Sequence, residues 1–360
     1  MAIGIKLNDK QLPLSPVFLE FLNDFLQQKQ IEATWHDQLS EELVFRRDEI
    51  LKNAQEASKF VLEQEYGRRA IIHVYELLVA IITGRVSQLR PYHERYRFFC
   101  IVGAPRHGGS YLTKQLFRAV DINPEVVPDV LAHDGFPEAA PFTLVPHVNT
   151  HLLLMHNLAE YLTMVDMFFA NETPRDGQII VPKKATKLAY HAAVFNRLFG
   201  PRTEYIITLR HPVAACISTY EKSGGFPSDG KYKMRSKIEE WIRRDNAFNG
   251  MDSKSILRRD YFDVYLRYWE LYHYNLALTG LPHCRNLQII AYGKERMTAL
   301  AQSFFDRFSN SGRIEAFHVF DKKNRHREWL PKAEAALRRV QGVWETAGLP
   351  FPLDEIMEAW

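Results

Sequence analysis

The sequence predicts an α/β protein in which helices flank a central, mainly parallel sheet. Three observations predict it. Short runs rich in Ile, Val, Phe and Tyr recur along the chain, each closed by a polar turn and followed by apolar residues at helical spacing. Polar and basic residues gather at the C-terminal ends of those runs, the edge along which open α/β sheets bind ligands. Strand and helix signals alternate from residue 96 onward, whereas residues 1–95 read as helical. A helical N-terminal extension over 1–95 and an α/β domain over 96–360 are therefore expected.

Within the N-terminal stretch, residues 17–26 place apolar side chains at i, i+3, i+4 spacing behind Ser15-Pro16, a helix start. Residues 41–65 form a charged amphipathic segment and 75–82 a third helical one, and no catalytic pattern stands out. Residues 98–102 are an apolar run of the length and type of a buried parallel strand. A glycine-rich turn over 103–110 and a helix from Tyr111 to Phe117 follow. The segment 121–146 is rich in proline and acid, and a long apolar helix over 150–169 comes next. A second strand, 178–184, ends in Lys183 and Lys184, and a helix over 188–198 stops at Gly200-Pro201. A third strand, 203–209, ends at Arg210-His211-Pro212 and leads into a helix over 213–220. Residues 223–230 read as a mobile loop, and the aromatic-rich helix 261–274 as core. A fourth strand over 286–292, a helix over 297–308, a basic cluster over 321–327, a last helix over 331–347 and a proline-rich tail complete the chain.

Composition narrows the class. Apolar residues make up 46% and charged residues 25%, ordinary values for a soluble globular chain, and the net charge of +3 argues against nucleic acid as a partner. Three scattered cysteines, Cys100, Cys216 and Cys284, suit a reducing compartment better than a disulfide framework. The first residues lack a signal-peptide core, and the most apolar stretch, 70–83, is too short for a membrane span and holds His73 and Glu76. A cytoplasmic protein with no membrane span is expected.

The strand, glycine-rich turn and helix over 98–117 form the arrangement in which backbone N–H groups and a helix N-terminus converge on a phosphate. Gly103 and Gly108 have the separation found in a nucleotide-binding P-loop, and Ser110 holds its hydroxyl position. Gly109, however, stands where the P-loop lysine would reach the β- and γ-phosphates. The cation is Arg106, in mid-loop. A second anion-binding element lies at the next strand end, where Arg210 is suited to bidentate phosphate contact and Ser218 follows eight residues later. Two such elements suggest a ligand with two separated phosphate groups. Alternative readings are a P-loop kinase or NTPase, against which the missing lysine speaks, and a non-catalytic nucleotide-binding protein on the same scaffold.

Together these residues resemble the family of sulfotransferases that use PAPS, 3′-phosphoadenosine 5′-phosphosulfate. Pro105-Arg106-His107-Gly108-Gly109-Ser110-Tyr111 is similar to that family's 5′-phosphosulfate loop. Arg210 with Pro212 and Ser218 resembles its 3′-phosphate motif, and Lys184 its strand-end lysine. The resemblance runs from 98 to 292 and leaves the N-terminal 95 residues outside. It implies a P-loop-like sulfotransferase fold and metal-independent transfer of a sulfuryl group from PAPS to a hydroxyl or amine of a small-molecule or carbohydrate acceptor, leaving PAP. It also implies roles. Arg106 would hold the 5′-phosphate and the sulfuryl group, with His107 in the loop. The backbone of Gly108, Gly109, Ser110 and Tyr111 and the Ser110 hydroxyl would complete the cradle. Lys184 would assist catalysis, Arg210 and Ser218 would bind the 3′-phosphate, Tyr292 would contact adenine, and Lys322 and Arg325 would belong to a loop closing on the nucleotide.

For the general base the chain departs from part of the family, with Thr186 where cytosolic members place a histidine. The candidates are His133 and Asp134, with Asp129 and Glu138 behind them and His107 and His191 further off. His133 is favoured because an imidazole titrates near neutrality. Gly293 also departs from the pattern, since an acidic residue often follows the tyrosine there.

Overall fold

A computed structural model describes residues 3–7, 10–29, 47–133, 148–309, 314–319, 322–323 and 325–360. From the N-terminus run β1 (Ile3–Leu7), β2 (Lys10–Leu14), α1 (Pro16–Leu26), α2 (Arg47–Glu63), α3 (Glu65–Thr83), α4 (Val86–Arg95), β3 (Tyr96–Val102), α5 (Gly109–Ala119), α6 (Asp129–Ala132) and α7 (Val148–Phe169). Then come β4 (Ile179–Lys184), α8 (Ala192–Phe199), β5 (Glu204–Leu209), α9 (Pro212–Lys222), α10 (Lys237–Phe248), α11 (Ser253–Ile256), α12 (Tyr261–Leu278), β6 (Asn286–Ala291), α13 (Lys294–Phe308), α14 (Leu330–Thr346) and α15 (Leu353–Glu358). The described residues fall into two compact units. One comprises those up to Arg97 with 123–133 and 148–181; the other comprises 98–122 and those from Pro182 onward.

In the first unit the start of the chain departs from the helical expectation. β1 and β2 pair antiparallel with Ile3 opposite Leu14. Pro13 is tolerated in such a two-stranded edge. Ser15 then caps α1, its hydroxyl accepting from Phe18 N at 3.1 Å ahead of Pro16 at the first helical position. α3 buries a stripe of Ala70, Ile71, Val74, Leu77, Ala80 and Ile81 and packs on α7. α7 is largely buried, its apolar residues sharing the interior with His156, Asn157, Glu160 and Thr163. Its one buried carboxylate, Glu160, accepts from Ser15 N at 2.8 Å and Ser15 Oγ at 2.7 Å, and burial pushes its pKa up to about 7. No single helix among the described residues is long and apolar enough to cross a membrane.

The sheet is four-stranded and parallel throughout, in the order β4-β3-β5-β6. Phe99 stands opposite Glu204, and Leu209 opposite Ala291. β3 and β5 are buried along almost their whole length, because helices cover a parallel sheet and leave no face for polar residues. The chain leaves β3 for β4 on one side and then crosses to β5 on the other. Strand order therefore reverses around β3, the place where an open α/β sheet leaves a crevice at its carboxyl edge.

α12 forms core as expected, with Tyr261, Phe262, Tyr265, Tyr268, Trp269 and Tyr272 all buried. Other elements differ from the sequence expectation as well. The helix over 188–198 divides into a 3-10 turn, Thr186–Tyr190, and α8, because His191 adopts an extended φ of −149°. α10 was not expected, although Ser236 and Glu239 form the beginning of a capping box, with Glu239 N donating to Ser236 Oγ at 3.3 Å.

Candidate functional site

The glycine-rich turn after β3 is built by close approach. A Cβ on Gly103 would stand 2.2 Å from Thr208 Oγ1 and 3.0 Å from Thr208 O of β5, so only glycine lets the turn lie against its neighbouring strand. Gly108 caps α5 with φ 86°, and a Cβ there would meet Met297 Cε at 2.5 Å. Between them Arg106 holds φ 71°, a left-handed conformation that costs a non-glycine residue about 1–3 kcal/mol and is characteristic of functional turns. The turn closes through His107 N donating to Ala104 O at 3.2 Å and Tyr111 N to Gly108 O at 3.1 Å. It delivers the chain into the N-terminus of α5, whose first N–H groups have no acceptor within the helix.

Three strand ends bring cations to this turn. Arg106 is exposed, and its Nε donates to Ser218 Oγ of α9 at 3.1 Å. Arg210, after β5, is only 5% exposed; its Nη1 donates to Arg106 O at 2.8 Å, and its guanidinium lies 4.1 Å from the centroid of the Tyr292 ring. Its Nε is buried without a hydrogen-bond partner among the described residues. Burial lowers the pKa of Arg210; the neighbouring Tyr292, Tyr265 and Glu221 work against that and Arg106 adds to it. Lys184, at the end of β4, lies along Gly109. A Cβ on Gly109 would stand 3.4, 3.5 and 3.6 Å from its Cε, Cγ and Cδ. The position of a P-loop lysine is thus covered by a lysine from another strand.

The structure therefore gathers Arg106, Gly108, Gly109, Lys184, Arg210, Ser218 and Tyr292, with Ser110 in the first turn of α5. Tyr111 and Tyr292 meet through Phe317, whose ring centroid is 4.7 Å from the first and 5.0 Å from the second. The Tyr292 ring face carries Arg210.

A cleft of about 550 Å³ opens beside Arg210 and Tyr292, lined also by His211, Lys294, Lys322 and Trp360. Of the expected basic pair, Lys322 Nζ donates to Glu221 Oε2 and Arg325 Nη1 to Glu221 Oε1, each at 2.5 Å. Arg325 Nη2 also donates to Tyr220 Oη at 3.0 Å. Partial burial pushes the Glu221 carboxyl up, but hydrogen bonds and charge from Lys322 and Arg325 outweigh it and hold the group below its ordinary range.

The base candidates divide. His133 and Asp129 belong to the first unit, at either end of α6. Asp134 and Glu138 lie outside the described residues. His191 is buried at the start of α8. His107 lies beneath the turn, 1% exposed, with Nδ1 3.0 Å from Thr208 O and its ring stacked on His273 at 5.6 Å. Burial, then His273 and Arg210, drive its pKa well below the ordinary imidazole value despite the bond to Thr208. His107 thus acts as a neutral prop under the loop.

Sequence reasoning passed over Thr208, Tyr220, Glu221 and His273. Glu221 had a signal: it follows Ser218 by three residues on a helix, so the two share a face. Thr208 and His273 had none, since they meet the turn only across the sheet and from α12. No protein-family model matches the chain, and no curated protein or solved structure matches it either.

Proposed function

We propose that the chain is a PAPS-dependent sulfotransferase acting on a hydroxyl, or amine, of a small-molecule or carbohydrate acceptor. One observation carries this reading. Arg106 and Arg210 converge on a glycine-rich turn at two adjacent strand ends, joined by Arg210 Nη1 to Arg106 O, and among the described residues neither guanidinium meets a carboxylate. Cations held this way are poised for an anion that comes from outside.

The residues present fit a ligand with two phosphate groups. Arg210 keeps a buried Nε with no hydrogen-bond partner among the described residues, and Gly108 and Gly109 put no side chain of their own at the N-terminus of α5. PAPS supplies a sulfuryl group whose S–O bond to the 5′-phosphate breaks as the acceptor oxygen bonds to sulfur. Arg106, with the N–H groups of α5 and the Ser110 hydroxyl, holds the 5′ side and stabilises charge building on the leaving oxygen. Lys184 adds a second cation over Gly109. Arg210 and Ser218 hold the 3′-phosphate, and the Arg106–Ser218 bond fixes the two halves of the cradle in register. A general base takes the acceptor's proton. Gly109 speaks against Mg-ATP as the ligand, because the loop itself lacks the lysine that reaches the β- and γ-phosphates.

Thermal unfolding with adenosine 3′,5′-bisphosphate tests the reading. A ligand at a hundredfold its Kd stabilises the fold by about 2.7 kcal/mol. The bisphosphate is expected to raise Tm well above adenosine 5′-monophosphate at equal concentration, and radiolabelled sulfate is expected to pass from PAPS to an acceptor. No shift with the bisphosphate overturns the reading. Mg-ATP turnover favours a kinase or NTPase, and bisphosphate binding without transfer across a broad acceptor panel favours a non-catalytic binding protein.

A further inference from the structure

We infer that Glu221 is an internal counter-ion that competes with the ligand's phosphate for Lys322 and Arg325, and so sets how strongly the site discriminates in favour of polyanions. Glu221 sits three residues beyond Ser218 on α9, so it shares a face with the residue that binds Arg106. Both of its oxygens are engaged, one by Lys322 and one by Arg325. Lys322 lines the same cleft as Arg210 and Tyr292, and the Glu221 charge is felt at Arg210 itself. A carboxylate at this place mimics one face of a phosphate.

Two consequences follow from the charges. Glu221 repels any anion approaching the cleft, and it keeps two cations satisfied while no ligand is present. The Glu221 and Arg325 side chains are partly exposed, 36% and 44%, and the Lys322 side chain is 11% exposed at the cleft. Pairs of that kind are weak and readily exchanged. A phosphate offers more charge and more acceptor oxygens than a carboxylate, so it can take both cations over. A singly charged anion gains little by the exchange. Glu221 therefore acts as a threshold that a multiply charged group passes and a weaker anion does not.

The inference rests on the reading of this edge as a phosphate site, so two probes separate the failures. Calorimetry on the full chain would compare wild type with E221Q, using adenosine 3′,5′-bisphosphate and inorganic pyrophosphate. Both probes are expected to bind E221Q about fivefold more tightly, the scale of losing one partly screened charge pair. Glu221→Asp should return the affinity toward wild type. Equal or weaker binding to E221Q, with wild type binding normally, overturns the counter-ion role and leaves the sulfotransferase reading standing. Failure of both proteins to bind the nucleotide overturns that reading, and pyrophosphate then judges Glu221: tighter binding to E221Q supports the role, while equal binding or none removes it.

Discussion

Two groups of cations in the same unit are partnered in opposite ways. Arg106 and Arg210 are met by a hydroxyl, a backbone carbonyl and an aromatic face. Lys322, which lines the cleft beside Arg210, and Arg325 are met by the Glu221 carboxylate. The difference is one of stored electrostatic free energy. Burying a guanidinium without a carboxylate is costly, and a stable fold keeps such a group only where something else holds it in place. The sheet does that here: Arg210 follows β5 directly, Trp269 Nε1 donates to its carbonyl at 3.2 Å, and Tyr292 covers its face. The first group is thus built to receive charge, and the second already carries its compensation.

The sharpest way to break this comparison is to remove Arg106. Its side chain is exposed and its backbone is strained, so Arg106→Ala should cost little stability. On the proposed sulfotransferase reading it should lower kcat for sulfuryl transfer by about 10²–10³, the effect of deleting one preorganised donor to a developing oxyanion. Steady-state kinetics with saturating PAPS checks it. An equal loss from Lys322→Ala would erase the distinction between the two groups.

A second test asks how much further positive charge the first group tolerates. His107 and His273 stack beneath the turn, and burial lowers His273 from 6.5 to about 4. Both rings are neutral in the fold and accept protons more readily once unfolded. The stability they contribute is therefore fully present above pH 6.5 and is lost as pH falls, through about 4 for His273. Glu160 and Asp245, both pushed up to about 7 by burial, act with the opposite sign, so the measurement must be a difference. Relative to His273→Phe, wild type should lose about 3 kcal/mol between pH 7 and pH 4, by urea unfolding. A difference that stays constant with pH would mean that the buried imidazole is protonated at no extra cost.

The turn itself was legible in the sequence because its signals are local: an apolar strand, glycines at fixed spacing, and apolar residues resuming at helical period. Arg210 and Ser218 were legible for the same reason, as a strand end and its following helix. What was not legible depends on strands that are neighbours only in space. The absence of a lysine at Gly109 could be read, but not that the Lys184 stem lies there, since this follows from β4 entering the sheet beside β3. Gly103 read as a turn glycine, whereas its actual constraint is Thr208 on β5. The N-terminal hairpin was missed because ten residues of alternating pattern, broken by Pro13, are outweighed by the strong helix that follows. The base had no local signal to read: Thr186 stands where a histidine would mark it, His133 lies on the first unit, and Asp134 lies outside the described residues.

Binding should separate the two groups next. Arg210→Ala should weaken adenosine 3′,5′-bisphosphate by about 1.5–3 kcal/mol, the worth of charge-assisted hydrogen bonds with no competing carboxylate. Lys322→Ala and Arg325→Ala should each cost under about 1 kcal/mol, because these cations exchange one anion for another on binding. Arg210→Lys should recover only part of the loss, since an ammonium cannot reproduce the planar fork or the stacking on Tyr292. Calorimetric titration of the four proteins decides it, and a reversed order would mean that the compensated cluster carries the phosphate.

The smallest expected effect is also the most specific to the comparison. A double-mutant cycle on Glu221 and Arg325, read by thermal unfolding without ligand, should give a coupling of about 0.2–1 kcal/mol at low salt, the usual value for a partly exposed pair. At about 1 M salt, where the screening length falls to roughly 3 Å, most of that coupling should vanish. The same cycle on Arg106 and Ser218 joins an ion to a neutral hydroxyl, so its coupling should change little with salt. If both couplings fade together, Arg106 is being held by a charge and not by the Ser218 hydroxyl. The idea that this cradle keeps its cations uncompensated would then have to be given up.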